Sequence, residues 1–162
     1  MVTAQRVLSK QADFEDLVGA TLFESDPVLI SKQRIQDYCT SLGQMDWFHF
    51  DEARCAESEF GGIVAPGTLT FALVHATFFE HVALRDLKAL FVGSDRFRVI
   101  RPVTAGESLV LRFDVVDCVP RGGAFRVRYD FEWRGHDNAQ PVSKGTLLVQ
   151  YWEQPEGTAT PQ

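Results

Sequence analysis

Apolar side chains in the first third of the chain recur at the spacing of one helix face. Residues 35–42 follow this period, with Ser31 placed to cap the helix and Gly43 placed to end it. A polar and aromatic loop follows over residues 44–50. Asp51 is then placed to cap a short helix that runs to about Ser58.

Residues 68–82 predict a longer helix that is apolar around almost its whole circumference. A helix of this kind is usually buried in a core. His75 and His81 lie on it, and we expect His75 in the core or at an interface. A glycine-rich loop over 60–67 leads into this helix.

The rest of the chain predicts strands over 95–103, 107–119 and 144–152, and a fourth over 125–133 in which apolar and charged residues alternate. That period of two is typical of a strand with one solvent-exposed face. One buried helix followed by antiparallel strands packs most simply as a curved sheet wrapped around the helix. We therefore predict an α+β chain with the hotdog architecture, an antiparallel β-sheet wrapped around a long central helix. One helix cannot cover so long a sheet, so we expect copies to pair.

Length and composition predict a single domain over residues 1–153, followed by a disordered tail over 154–162 that holds two prolines and a glycine. The formal net charge of −6 argues against nucleic acid and anionic membranes as partners. Three cysteines without a C-x-x-C spacing favour neither a disulfide framework nor a zinc site. Without a signal peptide or an apolar run of about 18 residues, we expect a cytoplasmic location and no membrane partner.

Segments from residue 30 onward resemble the NodN-like branch of the MaoC-like enoyl thioester hydratases, and the resemblance covers residues 14–152. The matching strings are Ser31-Lys32-Gln33-Arg34-Ile35, Trp47-Phe48-His49-Phe50-Asp51, Phe60-Gly61-Gly62, Ala65-Pro66-Gly67, Leu69-Thr70, Arg96-Phe97 and Arg101-Pro102-Val103-Thr104-Ala105-Gly106-Glu107. The resemblance implies the hotdog fold and a substrate that is an acyl thioester.

In that family an Asp and a His five positions apart activate water for addition to an enoyl thioester. By resemblance His49 fills the histidine position and Gln44 fills the aspartate position. Asp46 falls where the family has Asn or Gln, and Pro66 replaces a histidine before the glycine of the helix, which is Gly67 here. Gln44 can form hydrogen bonds but cannot exchange a proton near neutral pH.

Hydration needs one group that takes a proton from water and one that delivers a proton to C2. We assign His49 as the acid and base, assisted by Asp46 or Gln44. The developing enolate oxygen needs an N–H donor, which Gly67 can supply from the helix N-terminus. Asp46 can replace the lost carboxylate or bond its own backbone as a loop residue.

Further substrate-binding candidates are Ala65, Trp47 and Gly62, together with Arg96 and Arg98. Gly62 is also typical of a tight loop. The two arginines belong to a local basic region that can meet the phosphates of coenzyme A or phosphopantetheine, or lie on a solvated strand edge. We expect no metal, and no cofactor apart from the carrier that forms part of the substrate.

Three functions remain open from the sequence. The first is a hydratase or dehydratase that acts on an enoyl thioester of coenzyme A or of an acyl carrier protein. The second is a thioesterase on the same fold, in which Asp46 and Gln44 carry the chemistry. The third is a non-catalytic subunit that binds an acyl thioester beside an active hydratase. We expect a homodimer, or a heteromer with a related hotdog subunit.

Overall fold

The computed structural model of the protein describes residues 5–157. Over these residues the helices are α1 (Gln11–Glu15), α2 (Lys32–Leu42), α3 (Glu52–Ala56) and α4 (Gly67–His81). A short 3-10 helix spans Trp47–His49. The strands are β1 (Arg6–Leu8), β2 (Thr21–Glu24), β3 (Val28–Leu29), β4 (Val82–Leu84), β5 (Leu87–Val99), β6 (Ser108–Pro120), β7 (Phe125–Gly135) and β8 (Pro141–Glu153).

The long strands form one antiparallel sheet in the order β2-β6-β7-β8-β5, with β3 also paired to β6. Strands β1 and β4 form a separate parallel pair. In β7 every second side chain is buried, from Phe125 to Trp133, and the residues between them are half-buried or exposed. The inner face of the sheet therefore lies against the long helix, and the structure is the predicted α+β hotdog fold.

Helix α4 is fixed to the inner face of the sheet by aromatic and polar contacts along its length. Near its start the indole Nε1 of Trp133 donates to the carbonyl of Thr70 at 2.7 Å. Near its end the ring of Phe78 lies 5.7 Å from that of Phe113 and 6.0 Å from that of Tyr129. The helix thus packs on the central strands β7 and β6.

The helix ends follow the capping residues in the sequence. The Ser31 hydroxyl accepts from the N–H of Arg34, and Gly43 ends α2 with a φ of 69°. The Asp51 carboxylate accepts from the same kind of group, the N–H of Arg54, at 3.0 Å. Both predicted caps are confirmed, and α4 starts one residue earlier than predicted and ends one residue earlier, at His81.

Two features differ from the sequence prediction. Strand β5 begins at Leu87, eight residues before the predicted strand. Residues 87–94 pair with β8 although they do not alternate between apolar and polar types, so the sequence pattern does not mark them. Helix α4 is not covered on all sides: Ala72 and Ala76 are exposed and Phe79 is 55% exposed. An apolar helix face and the edge strand β5 are thus open in the single chain.

The predicted tail lies partly outside the described residues. Its first residues are tied down, since the N–H of Gln154 donates to the carbonyl of Asp86 and the N–H of Gly157 donates to the carboxylate of Asp86. Residues 158–162 lie beyond the described range. The assignment of residues 1–153 to a single domain stays a prediction.

Candidate active site

His49 is buried, with 1% of its surface exposed, and both ring nitrogens have partners. Nδ1 lies 2.6 Å from the carbonyl oxygen of Val64. A carbonyl only accepts, so Nδ1 carries the proton and the neutral ring leaves Nε2 with a lone pair. Nε2 lies 3.2 Å from the amide nitrogen of Gln44, which donates to it. The nitrogen available as a base therefore points to Gln44.

The segment that holds His49 is the same one that leads into helix α4. Val64 donates its own N–H to the carbonyl of Phe48 at 2.9 Å, so the His49 loop is bonded to Val64 twice. On the other side Ala65 donates to the carbonyl of Val103, and Ala105 donates to the carbonyl of Ile63. Val64 and Gly67 are three positions apart, which limits their Cα separation to about 11 Å. The imidazole and the helix N-terminus are therefore parts of one bonded unit.

Gly67 is the first residue of α4 and lines a cavity of about 310 Å³ beside Val64, Ala65 and Val99. The first N–H groups of a helix have no partner within the helix and carry partial positive charge. A Cβ at Gly67 would lie 2.6 Å from Cγ2 of Val99. Glycine is therefore required here by the close approach of strand β5.

A buried polar network fixes the first turn of α4. The Thr70 hydroxyl donates to the carbonyl of Gly67 at 2.8 Å and accepts from the Ser143 hydroxyl at 2.8 Å. Thr70 and Ser143 are almost completely buried. The Trp133 indole also donates to the Thr70 carbonyl. One of these three hydrogen bonds lies within the first turn of the helix, and the other two join that turn to strands β7 and β8.

Comparison with known sequences decides the family. The family described as MaoC like domain matches residues 13–129, which is most of the chain. The chain belongs to the MaoC-like dehydratases.

Two curated relatives and one solved structure show the range of similar proteins. The 3-hydroxyacyl-thioester dehydratase Z of Mycobacterium tuberculosis (strain ATCC 25618 / H37Rv) is 28% identical over 148 residues, covering 90% of this chain and 98% of that protein. Nodulation protein N of Rhizobium meliloti (strain 1021) is 33% identical over 110 residues, covering 66% of this chain and 68% of that protein. The C-terminally truncated HadBC (3R-hydroxyacyl-ACP dehydratase) complex of Mycobacterium tuberculosis is 23% identical with a TM-score of 0.70, covering 83% of this chain and 97% of that one.

The structure connects only part of the residue set predicted from the sequence. Gln44 contacts His49, and His49 contacts the carbonyl of Val64, which lies just before Ala65 and Gly67 in the chain. The Asp46 carboxylate is not among the partners of the imidazole. Asp46 is exposed, and its side chain does not cap the 3-10 helix that it precedes. The pKa of the Cys39 thiol is raised by burial and, secondarily, by the Asp46 carboxylate, which places that carboxylate near α2.

Trp47 and Gly62 are further candidates from the sequence, and Trp47 contacts Phe48, whose ring contacts that of His49. The Arg54 guanidinium stacks 4.0 Å above the Trp47 ring, so the indole already has a cationic partner. Gly62 is half-buried, and a Cβ there would meet no atom within 4 Å. Its neighbour Gly61 has a φ of 70°, a left-handed backbone conformation that favours glycine, so Gly61 is the glycine that the turn of this loop needs.

Arg96 and Arg98 lie on the outer face of the sheet. They line a groove of about 540 Å³ together with Lys144 and three carboxylates, those of Asp114, Asp130 and Glu132. Phe97 and Val99, which alternate with them, point to α4 instead. The groove has mixed charge, and in a single chain it faces away from Gly67. Their contact with a substrate phosphate stays a prediction.

Two groups that hold the site have no role predicted from the sequence, the Val64 carbonyl and the Thr70 hydroxyl. The Val64 carbonyl fixes the imidazole, and no side-chain pattern marks a carbonyl of this kind. The Thr70 hydroxyl is equally inconspicuous, since a threonine in an apolar helix predicts only a core position. Within residues 5–157, no cluster of three or more metal-ligating side chains occurs and no helix is long and apolar enough to cross a membrane.

The buried network predicts that removing one partner of the Thr70–Ser143 hydrogen bond costs more stability than removing both. Thr70→Val keeps the shape of the side chain but leaves the buried Ser143 hydroxyl without its acceptor, so we expect the free energy of unfolding to fall by about 1–3 kcal/mol. Thr70→Ser keeps the hydroxyl and should lose less. The double variant Thr70→Val/Ser143→Ala should recover part of the loss because neither partner is then orphaned. Urea denaturation of the four proteins measures this, and a Thr70→Val variant as stable as wild type would contradict it.

Proposed function

We propose that the protein is a hydratase or dehydratase that adds water to a 2-enoyl thioester or eliminates it from a 3-hydroxyacyl thioester. The observation that carries the proposal is the bonded unit of His49, Val64 and Gly67. It joins a histidine, the side chain most often used for proton transfer, to a helix N-terminus that begins three residues after the carbonyl that holds the ring. The names of the relatives, a 3-hydroxyacyl-thioester dehydratase among them, support the same reaction class.

In hydration, the N–H at Gly67 polarises the thioester carbonyl while Nε2 of His49 takes a proton from water. The water oxygen bonds to C3, the C2–C3 π electrons move towards C1, and negative charge develops on the carbonyl oxygen. The imidazolium then returns the proton to C2 as the carbonyl reforms. One histidine can perform both proton transfers, so the hydration needs no carboxylate to balance its protons. Elimination follows the same steps in reverse.

The reaction requires that water reach Nε2 of His49, and Gln44 controls this access. Its amide N–H occupies the lone pair of Nε2, so water reaches that nitrogen only when the Gln44 side chain turns aside or passes its hydrogen bond to the water. Gln44 is half-buried, which leaves part of its side chain at the surface. We therefore assign Gln44 the role of orienting water and His49 that of acid and base. Asp46 is not needed by this mechanism.

The carrier is proposed to be coenzyme A or the phosphopantetheine of an acyl carrier protein, with no cofactor beyond it. Arg96 and Arg98 are the proposed contacts for the carrier phosphates, in a groove that also holds three carboxylates. The second candidate function is a non-catalytic subunit that binds the thioester. The occupied lone pair of a buried His49 favours it, since that arrangement at rest has no free base.

We also propose that the chain pairs with a second copy or a related hotdog subunit. Strand β5 is the edge of the sheet, and an unpaired edge with exposed apolar side chains is a template for association. Leu90 is 56% exposed and Val92 is 41% exposed on it. The solved HadBC relative is itself a complex. We place the protein in the cytoplasm, where the unpaired Cys39, Cys55 and Cys118 suit reducing conditions.

The role of His49 predicts a large loss of turnover. His49→Ala should lower the rate of crotonyl thioester hydration by about 10² to 10⁴, the usual contribution of a general acid and base. Steady-state assays monitor the loss of the enoyl absorbance. His136→Ala, which removes an exposed histidine in a turn, is the matched control and should keep full activity. Full activity of His49→Ala would remove the assignment.

Gln44→Asp separates the candidate functions. If the hydratase geometry is intact, a carboxylate five residues before His49 supplies a second proton-transfer group, and hydration should rise by about tenfold or more. Asp46→Asn should leave the rate unchanged, because the two imidazole nitrogens are bonded to Gln44 and to the Val64 carbonyl and not to Asp46. If both substitutions abolish a thioester-cleaving activity instead, the site is a thioesterase. Inactivity of wild type and both variants with every thioester leaves the non-catalytic subunit.

Pairing through β5 predicts a charge-sensitive assembly. Wild type should scatter light as a dimer or larger species, and Leu90→Lys should shift it towards a monomer because the charge would be buried against the partner. Leu42→Lys is the control, since Leu42 is 60% exposed at the end of α2, away from the sheet edge. A wild-type monomer at micromolar concentration would contradict the proposal.

A further inference from the structure

Glu107 lies in a turn just before strand β6, and its carboxylate is bonded through both oxygens. Oε1 accepts from the backbone N–H of Thr104 at 2.7 Å and from the Thr104 hydroxyl at 3.1 Å. Oε2 lies 2.8 Å from Nη1 of Arg101, and the Glu107 side chain is 28% exposed. None of the proposed hydration steps uses this carboxylate.

The turn that contains Thr104 is paired with the segment that holds His49. Two backbone hydrogen bonds of 2.8 Å join residues 63–65 to residues 103–105, with Val64 opposite Thr104. Both bonds are formed by the neighbours of Val64 and Thr104. The N–H and C=O groups of Val64 and Thr104 themselves therefore point outward from the pair, in opposite directions.

Each outward edge of this backbone pair has its own partner. On one edge, the Val64 N–H donates to the Phe48 carbonyl, and the Val64 carbonyl accepts from Nδ1 of His49. On the other edge, the Thr104 N–H donates to the Glu107 carboxylate, and the Thr104 carbonyl accepts from the N–H of Glu107 at 3.2 Å. Glu107 therefore closes the far edge of a pair whose near edge holds the imidazole.

Glu107 is also anchored to the core and carries a negative charge. Its carbonyl accepts from the N–H of Ile30, which is fully buried. Burial favours the neutral carboxyl, but the N–H of Thr104 and the Arg101 guanidinium outweigh it, so the pKa of Glu107 lies below its ordinary value. Hydrogen bonds to a charged group are about twice as strong as neutral ones. At neutral pH the carboxylate is therefore a strong acceptor for Thr104.

We infer that Glu107 is a positioning residue for the reaction at His49. It fixes residues 103–105, these fix residues 63–65, and the Val64 carbonyl then keeps the proton of the imidazole on Nδ1. This inference rests on the proposed function, since it assigns a further residue to the same site. Without the carboxylate, the far edge of the pair loses its charged acceptor, and the Val64 carbonyl is less firmly placed. A shift of about 1 Å in such a group can lower a rate by about a hundredfold.

The proton on Nδ1 of His49 reports this hold directly. In full-length protein with nitrogen-labelled histidine, NMR should show a ring proton on Nδ1 that exchanges slowly with water, and its absence in His49→Ala identifies the signal. Glu107→Ala should speed this exchange by about tenfold or more, the effect of losing a charged hydrogen bond on a local opening equilibrium. Exchange as slow as in wild type would overturn the inference.

Glu132→Ala is the matched control for the exchange measurement. Glu132 is also paired with an arginine and its side chain is also 28% exposed, but it lies on strand β7 and has no bond to residues 103–105. Its loss should lower stability to a similar degree, which urea denaturation measures, and leave the exchange of the Nδ1 proton unchanged. Equal acceleration in both variants would overturn the inference, because the effect would then follow from general loss of stability.

Steady-state kinetics separate positioning from obstruction of the site. Glu107→Ala should lower kcat for crotonyl thioester hydration by about tenfold to a hundredfold with KM nearly unchanged, because the lost interaction acts on the reacting groups. Arg101 lines the cavity at Gly67, and in this variant its guanidinium is released from Glu107. A raised KM with full kcat would indicate that the released side chain obstructs the substrate, and it would overturn the positioning role.

Glu107→Gln keeps the test decisive if the alanine variant does not fold. Its amide oxygen can still accept from the N–H of Thr104, but it is neutral and brings an amide N–H against Arg101, so both effects should appear at smaller size. Wild-type exchange together with wild-type kcat in this variant would overturn the inference. Failure of wild type to hydrate any enoyl thioester would overturn the proposed function, while the exchange measurement still decides whether Glu107 holds the ring.

Discussion

The two hydrogen bonds between Val64 and the His49 loop are the constraint on which the site depends. The Val64 carbonyl accepts from Nδ1 of His49, and its N–H donates to the carbonyl next to that histidine in the chain. The first bond fixes which ring nitrogen carries the proton, and hence which one can act as a base. The second fixes where the loop lies. Since Val64 lies three residues before Gly67, one short segment holds the imidazole and leads into α4.

This arrangement explains why the sequence predicts the fold well and the site only partly. The strand alternation over 125–133 and the apolar helix before it predict a sheet around a helix, because both patterns follow from burying one surface in one core. Ser31, Gly43 and Asp51 predict helix ends because capping is local. The beginning of β5 at Leu87 is not local: residues 87–94 become a strand because β8 pairs with them. Pairing of that kind overrides the weak pattern of the segment itself.

The same reasoning applies to the individual site residues. His49 stands out in the sequence because its side chain can transfer protons and because it lies in a matching motif. Gly67 stands out only by its motif and its place at the start of an apolar helix. The catalytic roles of both residues stay predictions. Asp46 is a plausible partner in sequence, since a short polar spacing cannot show which way a loop side chain turns. The 3-10 helix over Trp47–His49 turns the chain so that Gln44, and not Asp46, meets the imidazole. The Val64 carbonyl is invisible in any pattern of side chains, because every residue has a carbonyl.

The contact between Gln44 and His49 determines what the site can do at rest. A carboxylate in that position would accept a hydrogen bond, and it would pair with an imidazole that carries a proton on Nε2. The amide of Gln44 donates instead, and it therefore pairs with an imidazole whose Nε2 is bare. Replacing the carboxylate by an amide thus does more than remove a proton-transfer group, because it selects the opposite protonation state of the neighbouring ring. An Nε2 without a proton is the state that takes a proton from water, so the amide holds the ring in the base form while its own N–H occupies the lone pair. Elimination needs the same nitrogen to take a proton from C2, and it likewise requires the Gln44 N–H to move aside. The geometry is therefore consistent with catalysis in both directions by the histidine alone, provided that Gln44 yields its hydrogen bond to the incoming ligand.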